Sequence, residues 1–203
     1  MKKIVFIAVA VLAMVSLAGC DAVLESFYPE FAEGGDVAGE VEVFVSFDDD
    51  DYNLVKSFIT KPSEAGPLRL ILLDLTPYIE DGLFAESDVT PTTLADVYNG
   101  AIVLPDDSEF DPVWAQARAE SQYEGSQIIA VPAGAYAVLM FADVKSGTEN
   151  KVDSGDLYAA ARVFDGTENG GPIVARIDDE SDFVSLDTFY GSWSAFLQTS
   201  VVN

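Results

Sequence analysis

The residues with the clearest capacity for chemistry lie between positions 143 and 156. Asp143, Asn150, Asp153 and Asp156 offer hard oxygen donors, Glu149 adds one more, and Ser154-Gly155 lets the chain bend. Calcium takes roughly six to eight such oxygens, mixing carboxylates with backbone carbonyls. These four residues are therefore the candidate metal site, and Ca²⁺ the candidate ion. The spacing does not match an EF-hand loop, and Lys145 and Lys151 oppose a cation. The competing reading is a solvated turn between two strands.

Other acidic runs are less suited to binding. Adjacent side chains of Asp48 to Asp51 fall on alternate faces of an extended chain and cannot gather around one ion. They read as a strand stop that blocks edge pairing, as do Asp178-Asp179-Glu180 and Asp182. Glycan hydrolysis by paired carboxylates needs two acids at a fixed separation, one with a raised pKa. Among 35 Asp and Glu residues no pair stands out. Trp114, Trp193, Tyr190 and Phe189 have rings that could stack on sugars, but read first as core or helix-face residues. The chain contains no histidine. That removes Ser-His-Asp and Cys-His catalysis and histidine-ligated zinc or iron.

Charge narrows the partners. Ten Lys and Arg against 35 Asp and Glu leave a net charge of −25. Such a surface repels nucleic acid and anionic lipid headgroups and attracts cations. A single cysteine, Cys20, allows no internal disulfide, so the fold must hold by packing.

The first twenty residues have the build of an export signal: Met1-Lys2-Lys3, then an apolar run from Ile4 to Leu17 broken only by Ser16. A spanning helix needs about 20 apolar residues, and this run is shorter and closes on small residues. Leu17-Ala18-Gly19-Cys20 resembles the lipobox of bacterial lipoproteins. The resemblance implies cleavage before Cys20, lipid on its thiol, and a stable membrane anchor without a span. Residues 1–19 are then the signal peptide and 20–38 a tether carrying Pro29 and Gly34-Gly35. Losing Lys2 and Lys3 takes the remainder from −25 to about −27.

Residues 39–203 read as one β-rich domain. Val41, Val43, Val45 and Phe47 alternate with Glu42, Phe44 and Ser46, the pattern of a strand with one buried face. Residues 53–59 suggest a second strand. Leu68 to Leu75 is apolar enough for a central one. Pro77 to Pro91 is irregular, Thr92 to Tyr98 a short helix, and Asn99-Gly100 a turn. Ala101 to Leu104 is strand-like. Asp111-Pro112 looks like a cap opening a helix over Val113 to Gln122. Strands follow at 126–131, 135–143, 157–165, 173–177 and 183–186, while 193–202 fits either a strand or a helix. Short strands divided by turn residues point to a mainly β, antiparallel sandwich of the immunoglobulin-like or prealbumin-like kind, with one or two short helices in its connections.

One stretch has a recognisable grammar. Val131-Pro132-x-Gly134-x-Tyr136-x-Val138, running on to Asp143, resembles a hairpin of transthyretin-like and carboxypeptidase-regulatory-like modules. The proline would stop one strand and Gly134 supply a tight turn. Tyr136 would bury its ring, bond nearby backbone through its hydroxyl, and share a face with Val138 and Met140. Those modules often carry an Asp-x-Asn-x-Asp-Gly loop next. Here Asp143-Val144-Lys145-Ser146-Gly147 departs from it, which weakens an inherited metal site.

The expectation is thus a non-enzymatic, lipid-anchored protein of the bacterial cell envelope, outside the cytoplasm. It would bind a partner protein, a glycan or a cation, or serve as a structural component. A glycan-active hydrolase is the alternative from another class.

Overall fold

The structure, a computed structural model, describes residues 39–46, 57, 63, 65–105, 112–118, 124–144, 150–153, 155–167, 170–179, 182–188 and 197–198. The chain divides between Asp36 and Val37, and the described residues belong to the second unit. Cys20, the tether, the 48–51 acidic run and most of the 53–59 stretch lie outside them. No described helix is long and apolar enough to cross a membrane.

The domain is a β-sandwich. Gly39–Ser46 (β1), Glu124–Val131 (β4), Arg162–Val163 (β7) and Asp182–Asp187 (β9) form a four-stranded sheet in the order β4-β1-β9-β7. Ala65–Asp74 (β2), Trp114–Arg118 (β3), Gly134–Val144 (β5), Leu157–Ala160 (β6) and Leu197–Gln198 (β10) form the second, in the order β10-β6-β5-β2-β3. Ala175–Ile177 (β8) also pairs with β5. All ladders are antiparallel except β1 with β9, which is parallel and sets Val41 beside Val184.

The alternation in β1 sends Val41 and Val43 inward, both fully buried. They meet Leu68, Leu70 and Leu72 of β2, Ile129 and Val131 of β4, and Tyr136, Val138 and Met140 of β5. The odd-numbered partners Ile71, Leu73, Leu139 and Phe141 face the other way, into a second core. That core is roofed by Thr76–Glu80 (α1), Pro91–Tyr98 (α2) and their connections, which contribute Leu94, Ala95 and Val89. β2 and β5 are therefore covered on both faces, which is why their sequences are nearly continuous apolar runs. Truncating Leu70, fully buried between the sheets, to Ala would cost about 2–5 kcal/mol.

α2 starts where its caps dictate. The Thr90 hydroxyl accepts from the Thr93 N–H at 3.1 Å, and the Thr93 hydroxyl accepts from the Thr90 N–H at 3.2 Å. Pro91 follows as the first helical residue, where a missing N–H costs nothing.

Several local expectations are corrected. Residues 114–118 form strand β3 rather than a helix, pairing with β2 from Leu68↔Arg118 to Leu72↔Trp114. Ala, Gln and Arg are good helix formers, but propensity is a weak determinant that tertiary context overrides, and the open edge of a buried β2 has N–H and C=O groups that demand partners. Ala101 to Leu104 is irregular. The run 157–165 is not one strand: Ala161 N–H still bonds Val138 O at 3.0 Å, but Arg162 and Val163 pair with β9 in the other sheet. Residues 131–136 are not a hairpin, since β4 and β5 belong to different sheets. Pro132 and Ala133 carry the chain from one layer to the other.

Tyr136 nonetheless does what that stretch demands. Its ring is buried and its hydroxyl donates to the Pro132 carbonyl at 2.9 Å. Gly134 is required by close approach rather than by turn conformation. A Cβ there would collide with the Thr76 hydroxyl, which accepts from the Ala135 N–H at 2.9 Å.

Candidate functional site

Asp143 is the last residue but one of β5 and Asp156 immediately precedes β6. The β5–β6 register runs to Ala142↔Leu157, so Asp143 and Asp156 are the next residues on each side. By alternation they share the face of Phe141 and Tyr158, beneath α2. The structure brings these two candidate ligands together and buries both, at 4% and 0% exposure.

Each carboxylate has a partner from the chain. Arg69 Nε donates to Asp143 Oδ2 at 3.0 Å, placing a guanidinium beside the carboxylate. Asp156 Oδ2 accepts from the Asp153 N–H at 3.0 Å, and the Asp156 N–H returns to the Asp153 carbonyl at 3.2 Å. Asn150 is exposed, with φ of 63°, a left-handed conformation that asparagine tolerates. Residues 145–149 and Ser154 lie outside the described residues. Among the described residues no group of three or more Asp, Glu, Cys or His side chains is placed to hold one ion.

The segment is tied down from above. Asn99, just past α2, donates from Nδ2 to the Val152 carbonyl at 2.7 Å and accepts at Oδ1 from the Val152 N–H at 3.1 Å. The Tyr158 hydroxyl meets that of Thr92 at 3.1 Å. Burial pushes the Tyr98 phenol above its usual range; Arg69 pulls it back and Asp143 pushes it up.

Among the described residues, the remaining sequence candidates do not converge. Asp182 Oδ2 accepts from the Asp178 and Asp179 N–H groups at 2.6 and 3.1 Å, closing a turn. Trp114 packs against the inter-sheet core. Trp193, Tyr190 and Phe189 lie outside the described residues. An open apolar groove of about 520 Å³ is lined by Val163, Pro172, Val174 and Val184, with the Arg176–Glu86 ion pair alongside.

A different surface was not anticipated. Register places Phe44, Glu42 and Glu40 on the outer face of β1, with Ile128 of β4 opposite Glu42 and Phe183 of β9 opposite Glu40. Phe164 extends β7 by donating its N–H to the Ser185 carbonyl at 2.8 Å, which puts its ring on this face too. Phe44, Ile128, Phe164 and Phe183 are 36%, 41%, 51% and 52% exposed. One signal was present in the sequence: Phe44 occupies the solvent side of a strand whose neighbouring Glu42 is charged.

The chain matches no protein-family model, no curated protein and no solved structure.

Proposed function

We propose that this chain is a lipid-anchored protein of the bacterial cell envelope whose sandwich binds a partner and performs no catalysis. The anchoring part rests on Leu17-Ala18-Gly19-Cys20 and the apolar run before it. The binding part rests on one observation, the exposure of Phe44, Phe164 and Phe183 on a single face of the four-stranded sheet. Apolar surface gains about 25 cal/mol per Å² when removed from water, and three large exposed rings on one sheet face supply such surface.

Two experiments test the two parts. Cys20→Ser should lose metabolic labelling by a palmitate analogue and leave the membrane fraction; label retained would end the anchoring claim. A photo-crosslinking residue at Ser185, among these phenylalanines, should give discrete adducts on cells, and the same residue at exposed Ser87 should not. Equal adducts at both positions would end the binding claim. Calcium stabilisation of the 143–156 loop belongs to the same proposal. It requires Ca²⁺ to raise the melting temperature beyond what Na⁺ does at matched ionic strength.

A further inference from the structure

Resting on that binding reading, we infer that the outer face of the four-stranded sheet takes an extended cationic polypeptide whose Arg or Lys residues alternate with apolar ones. The face is a two-component lattice. Along β1 lie Phe44, Glu42 and Glu40, successive residues of one face, about 6.6 Å apart. Across the strands, Glu42 sits between Ile128 and Ser185, with Phe164 beyond, and Glu40 sits between Ala130 and Phe183. Neighbouring strands lie about 4.7–4.9 Å apart, and register sets Phe183 beside Glu40 across the parallel β1–β9 ladder. The Phe183 ring and the Glu40 carboxylate can therefore address one ligand group together.

A guanidinium or ammonium suits that pairing. It is attracted to an aromatic face and bonds a carboxylate more strongly than a neutral donor does. An extended peptide repeats its same-side residues at about the spacing of Glu40 and Glu42, so alternate cations can meet both acids while the intervening apolar side chains meet rings. The basic residue within this lattice among the described residues, Arg162, is engaged elsewhere, donating from Nη1 to the Gly171 carbonyl at 3.1 Å. The net charge of −25 draws a cationic chain from a distance and repels an anionic one. A glycan fits less well. Phenylalanine lacks the hydroxyl or indole N–H with which Tyr and Trp also bond sugars.

The test uses the full-length protein in detergent and three probes: a short peptide alternating arginine with leucine, the same peptide with serine for leucine, and a neutral chito-oligosaccharide. The arginine–leucine peptide should bind best. Phe183→Ser, Phe164→Ser and the pair Glu40→Gln with Glu42→Gln should each weaken it by about tenfold, and the glutamine pair should also flatten its salt dependence. The melting temperature should hold throughout, because these side chains face outward. If the serine peptide binds as well and ignores the phenylalanine variants, only bulk charge is at work and the inference is overturned. If the oligosaccharide binds and the phenylalanine variants abolish it, the face binds but the partner class is wrong. If no probe distinguishes the phenylalanine variants from the parent, both the inference and the binding reading fall.

Discussion

Asn99 makes both backbone hydrogen bonds of Val152, as donor at 2.7 Å and as acceptor at 3.1 Å. One side-chain amide thereby does the work of a neighbouring strand, and fastens the acidic 150–156 segment to the end of α2.

Replacing Asn99 with Ala leaves a buried N–H and C=O without their partner. The cost should be about 1–3 kcal/mol, read as a lower urea midpoint at unchanged slope. Asn99→Asp keeps the acceptor but turns a carboxylate oxygen toward the Val152 carbonyl, so it should cost at least as much as the alanine.

Arg69 and Asp143 form a pair whose side chains are 16% and 6% exposed. Arg69→Met strands the carboxylate in a mostly dry site. Breaking a fully buried pair costs about 3–5 kcal/mol, and partial exposure of Arg69 should bring this to about 2–4 kcal/mol. The variant also probes the metal question. If Arg69 is the sole cation serving Asp143, a calcium-specific gain in melting temperature should emerge only in Arg69→Met. A gain already present in the parent would speak for an ion in the loop.

Burial pushes the Tyr136 phenol well above its ordinary range, and Asp74 adds to the effect. Burial raises Tyr78 and Tyr98 as well. A raised folded-state value means that the unfolded chain ionises first. The stability these phenols contribute is complete below about pH 10 and is lost as pH climbs toward the folded values. Each such tyrosine should lower stability by up to about 1.4 kcal/mol per pH unit in that window. Tyr136→Phe should cost about 1 kcal/mol at neutral pH through the lost bond to Pro132, yet show a shallower alkaline decline. Urea melts at about pH 8 and about pH 11 would reveal it; parallel declines would count against the burial of this ring.

Gly134→Ala pushes a methyl into the Thr76 hydroxyl. The strain should cost about 1–3 kcal/mol, visible as a depressed melting temperature. Ala133→Gly, one residue earlier and exposed, should cost much less.

Where a physical cause was local, the sequence carried it. The alternation of Val41 and Val43, the apolar run of a central β2, a short helix over Thr92 to Tyr98 and the core side of Tyr136 are all legible, whereas the Thr90 cap that starts this helix at Pro91 is not. What failed depended on the rest of the chain. Residues 114–118 have helix-forming composition, and only the unfilled edge of β2 makes them a strand. Nothing in residues 157–165 reveals that Ala161 is the point where the chain changes sheets, nor does Pro132 announce that it links layers rather than strands of a hairpin. For the candidate site, the structure sets Asp143 and Asp156 side by side just past the last β5–β6 pair and leaves Asn150 exposed. The partner of Asp143 was invisible because Arg69 is 74 residues away in sequence. The phenylalanines of the outer face come from three separate strands and share no motif.

The parallel pairing of β1 with β9 has a kinetic consequence. β1 is the first strand of the described domain and lies inside its sheet, flanked by β4 and β9. One neighbour comes from mid-chain and the other from near the end. Non-local pairings of this kind slow folding, because a long loop must close before any contact repays it. Until residues 182–187 arrive, Val41 and Val43 present a bare hydrogen-bonding edge beside an apolar face. Such an edge invites pairing with another chain, so the docking of β9 closes the site at which β1 would otherwise recruit a foreign strand.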